Sequence, residues 1–344
     1  MTTAIVILNW NGEIFLQQFL PVLIQNTTQD GVEIIVADNA STDSSLSILK
    51  DKFPTIRTII LDKNYGFAGG YNKALAQIDA DYLVLLNSDV EVTVGWLEPM
   101  LEYMNGHKKV AACQPKILSY DQPAFFEHAG AAGGYIDRYG FPFCRGRILG
   151  FAEEDKGQYD TVVDIFWATG ACLMIRSSVY REVGGLDDDF FAHMEEIDLC
   201  WRLKSRGYRI VCIPESAVFH VGGGALGYES PYKTYLNFRN NLLMLYKNLP
   251  ATLLKKIMFS RFLFDYTAAF QLFITGKPKN ALIIFKARRD YKKMRPNFVE
   301  KRNQNRILST TDATTDIYKK SIVLDYFLRG KKTYKSLFEK YTDQ

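Results

Sequence analysis

The chain has 344 residues, 47% of them hydrophobic and 23% charged, which suffices for a sizeable core and excludes a disordered, collagen-like or small disulfide-stapled protein. Its five cysteines (Cys113, Cys144, Cys172, Cys200 and Cys212) show no CxxC spacing, which argues against a structural zinc site and fits a reducing cytosol. The net charge of +4 is unevenly placed: residues 1–250 hold 21 Lys and Arg against 30 Asp and Glu, and residues 251–310 hold 14 against 3, so an acidic body carries a basic tail.

The first half alternates short β-rich runs with amphipathic stretches. Residues 4–8, 33–37, 58–61 and 82–86 are apolar runs of strand length, and residues 14–24, 44–50 and 68–78 have helical patterning between them. The alternation predicts βαβ units on a parallel sheet. No basic segment precedes the first apolar run, so no signal peptide is expected. Residues 112–165 are irregular and rich in Gly, Phe, Tyr and Arg, and are read as sheet edge and loops over a cleft. Strand character resumes at 162–175, and 187–207 reads as a loop followed by a helix. From about residue 226 the chain reads as successive helices with mixed apolar and basic faces, over 232–247 and 251–287. A polar linker at 310–315 and a last basic helical stretch at 318–341 follow.

Four polar clusters, Asn9-Trp10-Asn11, Asp38-Asn39, Asn64 and Asn87-Ser88-Asp89, each fall just after an expected strand. In open α/β sheets ligands bind at that edge. A carboxylate such as Asp89 can hold a divalent cation bridging two phosphates, or can simply cap the next segment. Asp38 can accept from a pyrimidine N3–H, because Ser41, Thr42 or Asp43 suffices to cap the following helix. Gly66, Gly69 and Gly70 open a helix whose N–H groups can approach phosphate, but their spacing is neither that of a dinucleotide fold nor a Walker loop. Glu195, Glu196 and Asp198 form a dense acidic cluster. Asp198 and Arg202 stand four apart and are expected to pair, while Glu196 points about 100° round the helix from Glu195 and suits a general base. His220 precedes Val221 and three glycines, Gly222, Gly223 and Gly224.

In this order and spacing the clusters resemble a family 2 glycosyltransferase of the GT-A fold, over roughly residues 3–250, and most of all its bacterial rhamnosyltransferase-like branch. Trp167-Ala168-Thr169-Gly170-Ala171 and Gly184-Gly185-Leu186-Asp187 belong to the same pattern. The resemblance implies an α/β GT-A catalytic domain over 1–225, a Rossmann-like mixed sheet with flanking helices, and a basic helical region over 226–344. It implies that Leu8, Trp10 and Asp38 bind the base, with Trp10 against its ring. Asn64, Gly66, Phe67, Gly69, Asn72, Asn87 and Ser88 would line the nucleotide-sugar site. Asp89 and His220 would hold a divalent metal, Mg²⁺ or Mn²⁺. Glu196 would be the base, in the place of the usual Asp, with Glu195 in reserve. Asn87 stands where the wider family has the first Asp of D-x-D.

The implied reaction is metal-dependent, inverting transfer of a sugar from a nucleoside diphosphate donor to a hydroxyl of a polysaccharide or lipid-linked glycan. dTDP-rhamnose is the expected donor, with UDP-galactofuranose or a UDP-hexose as alternatives. A sugar nucleotidyltransferase is disfavoured because Asn9-Trp10-Asn11-Gly12 stands where such enzymes carry a Gly-rich basic loop, and an inactive homologue because Asp38, Asp89, Glu196 and His220 are all present. In the tail, residues 262–275 are apolar apart from Asp265 and Gln271, too short a run to span a bilayer, and flanked by Lys255, Lys256, Arg261, Lys277 and Lys279. That pattern predicts a cytoplasmic protein held peripherally on the anionic inner face of the bacterial inner membrane, with packing on the body or in a homodimer as the alternative. No nucleic-acid recognition module is seen, so nucleic acid is not an expected partner.

Overall fold

The computed structural model describes residues 1–128, 130–222 and 230–338. Gly223 and Gly224, the expected boundary at 225–226 and the end of the last expected helix lie outside them.

In chain order the strands are β1 (Thr3–Asn9), β2 (Val32–Asp38), β3 (Arg57–Ile60), β4 (Tyr82–Asn87), β5 (Val90–Val92), β6 (Val110–Ser119), β7 (Gly134–Ile136), β8 (Pro142–Cys144), β9 (Arg147–Ile148), β10 (Phe151–Ala152), β11 (Val163–Asp164), β12 (Cys172–Arg176) and β13 (Arg209–His220). The helices of the body are α1 (Glu13–Gln25), α2 (Ser45–Lys52), α3 (Gly66–Leu75), α4 (Glu98–Gly106), α5 (Ser177–Glu182) and α6 (Glu195–Ser205). Those of the tail are α7 (Pro231–Asn248), α8 (Ala251–Ile274), α9 (Pro278–Met294), α10 (Val299–Leu308), α11 (Ile322–Phe327) and α12 (Tyr334–Phe338).

A nine-stranded sheet has the order β11-β13-β6-β12-β4-β1-β2-β3, with β5 paired to β13. The first four strands are parallel, as their alternation with helices predicts. β12 runs antiparallel to both β4 and β6 and makes the sheet mixed. Side chains alternate across it: Ala4 and Val6 enter one core with Tyr71 of α3 and Leu199 of α6, and Ile5 and Ile7 enter the other with Leu16 of α1 and Met100 of α4. Both faces are covered, so β1 reads as a continuous apolar run.

One expectation is corrected here. The segment from residue 112 does not begin at a sheet edge, because β6 lies between β13 and β12 and is buried along almost its whole length. Its Gln114, Pro115 and Lys116 break the apolar pattern, but Gln114 is satisfied internally by Gly130 O and Lys116 pairs with Asp155 and Asp160. The irregular stretch behind it does form a smaller sheet, β10-β9-β8-β7. The chain's last helices return to that sheet, where Ile322 and Leu337 pack on Phe143 and Ile148.

The tail helices share the body's core. Leu242, Leu243, Met244 and Leu245 of α7 belong to the same buried cluster as Phe190 and Leu199. Lys247 of α7 donates to Asp187 (2.6 Å) and Asp198 (2.9 Å), and Asp198 also takes the expected bond from Arg202 (2.9 Å). The apolar segment expected at 262–275 is only part of a 24-residue helix, α8, that is long and apolar enough by length and composition to cross a membrane.

Candidate active site

The parallel register gathers the polar clusters at one edge. Asn9 stands opposite Asp38, and Leu8 opposite Asn87. Beyond that edge lies a cleft of about 900 Å³, walled on this side by Leu8, Trp10, Asn39, Asn64, Gly66 and Phe67, and floored by Asn87, Ser88 and Asp89. Trp10 is exposed (43%), as a ring that stacks on a planar ligand must be. Asn39 knits the wall: its Nδ2 donates to Asn64 Oδ1 and Gly66 O, and its Oδ1 accepts from Tyr65 N.

Three expected donor contacts lie off this cleft. Asp38 is fully buried, accepting from Ser41 N (2.9 Å) and Asn9 Nδ2 (3.0 Å), so it holds the β2 turn together and does not line the cleft. Asn72 bridges α3 to the loop before α6, donating to Leu186 O and accepting from Tyr180 Oη and Leu186 N. Gly69 faces Tyr65 and Asp188, where a Cβ would stand 3.1 Å from Tyr65 Cβ. Nor are the first N–H groups of α3 turned to an anion, because Phe67 and Ala68 donate to Phe191 O at 2.6 and 3.2 Å. Gly66, at φ +72°, allows that close approach, since a Cβ there would meet Phe191 at 2.5 Å.

Asp89 and His220 meet as the resemblance implies. β5 pairs with the end of β13, Val90 opposite His220, and Val221 N donates to Asp89 O. This sets Asp89 Oδ1 3.2 Å from His220 Nε2, with Asn87 Nδ2 3.5 Å away. On the other ring nitrogen, Nδ1 lies 3.2 Å from Glu127 Oε2. Burial alone would lower the imidazole's pKa, but these two carboxylates override it and push it up to about 10. Once the ring gives up its proton, a carboxylate oxygen beside an imidazole nitrogen would be a donor pair that suits a divalent cation. Among the described residues no group of three or more His, Cys, Asp or Glu is placed to hold one.

The acidic pair lines the same cleft. Glu195 and Glu196 begin α6, and each has one oxygen, Oε2, without a hydrogen-bond partner among the described residues. Burial drives the Glu195 carboxyl well above the ordinary glutamate range, and its Glu196 neighbour adds to the rise. Burial raises Glu196 too, but backbone N–H groups at the start of α6 oppose it. The loop leading in is strained: Phe191, His193 and Met194 have φ of +66°, +69° and +76°, at a cost of about 1–3 kcal/mol each. What over-determines this conformation is Asn240 of α7, whose buried Nδ2 faces Phe190 O (2.9 Å), Ala192 O (2.8 Å) and His193 O (2.8 Å).

Glu127 and Asn240 have no counterpart among the residues singled out from the sequence. Glu127 sits in an irregular stretch, where the adjacent His128 is the only local cue, and Asn240 is a polar residue inside a helix. The far wall of the cleft, with Phe141, Phe143, Arg147, Tyr232, Lys233 and Arg261, was equally hidden. It is assembled from β8, β9, α7 and α8, segments far apart in the chain.

The model of glycosyl transferase family 2 matches residues 4–184. The N-acetylglucosaminyl-diphospho-decaprenol L-rhamnosyltransferase of Mycobacterium tuberculosis is 26% identical over 60% of this chain and 71% of its own length. The rhamnosyltransferase WbbL of Escherichia coli is 26% identical over 63% and 82%. Among solved structures, the mannosyltransferase PcManGT of Pyrobaculum calidifontis, in complex with GDP-Man and Mn²⁺, aligns with a TM-score of 0.51 at 12% identity, covering 89% of this chain and 83% of that one. With its mixed sheet, its edge cleft and this match, the chain has the GT-A fold and belongs to glycosyl transferase family 2: it is a glycosyltransferase.

Proposed function

We propose that the enzyme transfers a sugar, L-rhamnose in the first instance, from a nucleoside diphosphate to a hydroxyl of a lipid-linked or polysaccharide glycan, with inversion at the anomeric carbon. The observation that carries this reading is the convergence of Asp89 and His220 on one side of a single cleft with Glu195 and Glu196 in its wall. The choice of rhamnose and of a lipid-linked acceptor is supported by the two rhamnosyltransferase relatives, one of which is named for a diphospho-decaprenol acceptor.

Trp10 and Leu8 would receive the base, and Asn64, Gly66, Phe67, Asn87 and Ser88 the rest of the donor. Asp89 and His220 would hold a divalent cation, and Glu127 would orient the ring so that Nε2 faces it. When bound, that cation would offset the charge on the departing diphosphate. Glu196 removes the acceptor hydroxyl's proton onto its free carboxylate oxygen. The acceptor oxygen then forms its bond to the anomeric carbon from the face opposite the breaking bond to the diphosphate. Glu195, whose carboxyl burial and the Glu196 neighbour raise well above the ordinary glutamate range, stands beside it in reserve.

A thermal-shift and hydrolysis screen of nucleotide sugars with Mn²⁺ tests the reading. A tight donor raises Tm by mass action, about 2.7 kcal/mol of stabilisation at a hundred times its Kd. dTDP-rhamnose should give the largest shift, with metal-dependent hydrolysis. A larger shift from a UDP-hexose would reassign the donor, and no shift from any nucleotide sugar would contradict the proposal.

A further inference from the structure

Helix α8 is built inside out. Its buried positions, Ile257, Arg261, Asp265 and Ala269, recur every four residues and put two charges on the protein side. They are satisfied there: Arg261 donates to Tyr139 O (3.2 Å) and Asp265 Oδ1 (3.1 Å), and Asp265 also pairs with Arg288 of α9. The opposite face carries Phe259, Phe262, Leu263, Phe270, Phe273 and Ile274, between 45% and 66% exposed. Leu282 and Phe285 of α9 extend the same apolar surface, with Phe285 joined to α8 through Tyr266 (5.1 Å between rings). Water-facing helices have the reverse polarity, and an apolar patch this continuous marks an interaction surface.

We propose that this outward face of the α8–α9 hairpin docks on an anionic lipid bilayer. The rim decides the occupant. Lys255 and Lys256 lie at one end of the apolar stripe, Lys277 and Lys279 at the α8–α9 turn, and Lys286 and Arg289 along α9, all exposed. Apolar insertion ringed by cations matches acyl chains under anionic headgroups. Although α8 passes the length and composition test for a span, its Arg261–Asp265 stripe is held by the body and by α9, so the helix lies in the interface plane and does not cross. Arg261 and Phe141, against the inner side of α8, line the cleft. Docking therefore puts the bilayer one helix diameter, ~10 Å, from the side of the cleft lined by Arg261 and Phe141.

The test is co-sedimentation of the full chain with phosphatidylcholine vesicles, with and without phosphatidylglycerol, over a salt series. The chain should bind the anionic vesicles, less so as salt rises. F259S/F270S/F273S, three outward residues outside the cleft, should lower the bound fraction about tenfold or more while leaving Tm and donor hydrolysis unchanged. K277E/K279E/K286E should remove the preference for phosphatidylglycerol. The proposal is overturned if the wild type binds neither vesicle, or if the Phe variant binds as well as the wild type. It is also overturned if sedimentation velocity shows a dimer, without vesicle binding, that the Phe variant dissociates: the face then belongs to a second copy of the chain. Equal binding to neutral and anionic vesicles overturns the electrostatic half.

Discussion

The two walls of the cleft are made in different ways. The donor wall is the edge of a parallel sheet, where Leu8, Trp10 and Asn87 follow directly from the register of β1 with its neighbours and lean on residues nearby in the chain. The acid wall is a loop whose Phe191, His193 and Met194 are held at positive φ by hydrogen bonds to Asn240, about fifty residues further on. On the donor wall positive φ falls in the turns after β1 and β2, at Asn11 (+52°) and Ala40 (+60°), while Leu8 and Asn87 themselves sit on regular strand. A carboxylate aimed into a cleft needs a backbone it would not adopt alone, and here a tail helix imposes it. On the proposed assignment, the difference would separate binding from turnover.

The largest effect should come from the floor shared by both walls. Asp89→Ala removes half of the Asp89–His220 pair and should lower turnover by more than about a thousandfold and abolish Mn²⁺ binding by calorimetry. EDTA should do the same reversibly. Full activity in EDTA would remove the metal from the account.

Breaking the clamp should injure the acid wall alone. Asn240→Ala removes the side-chain donor that faces Ala192 O and His193 O, while Phe190 O keeps Arg239 and Ala192 N, and should cost about 1–3 kcal/mol of stability. It should lower kcat about ten- to a hundredfold, raise amide exchange in residues 190–196, and leave donor Kd within about twofold. An equal loss of donor affinity would erase the distinction between the walls.

The pH profile sharpens the same contrast. As the proposed base, Glu196 would work ionised, and burial raises its carboxyl above the ordinary value of 4.5. Activity is therefore present above the raised pKa and falls as pH drops through it, so the acid limb of kcat/KM should sit above 4.5. Glu195 is raised further. A carboxyl raised on folding costs stability as pH climbs past its unfolded value, so Glu195→Gln should flatten the decline of Tm that begins above the ordinary value of 4.5.

The smallest effect should be on donor binding in Asn72→Ala. Asn72 ties α3 to Leu186 and Tyr180, so the variant should lose stability, read by Tm, with donor Kd unchanged.

Which parts were legible in the sequence follows from the same contrast. The strands of the parallel half and the Asp198–Arg202 pair could be read ahead, because each rests on a short periodicity, whereas the meeting of Asp89 with His220 was implied only by the family resemblance. Asp38 and Asn72 sit in the same motifs, yet their side chains are spent on the fold, and Gly69 packs against Tyr65 and Asp188: a motif reports that a residue is constrained, not by what. Asn240 and Glu127 act through contacts distant in the chain, and no local pattern marks them. In α8 the composition was apolar as expected, but which face turned outward depended on Arg261 and Asp265 finding partners in Tyr139 and Arg288.

The central claim is that donor binding and proton removal belong to different walls, and Glu196→Gln tests it most directly. Calorimetry of the donor with Mn²⁺, paired with single-turnover transfer on the same preparation, should show Kd within about twofold of the wild type and a rate lower by about 10²–10⁴. Transfer at the wild-type rate, with Glu195→Gln inactive instead, would contradict the assignment of Glu196 as the base.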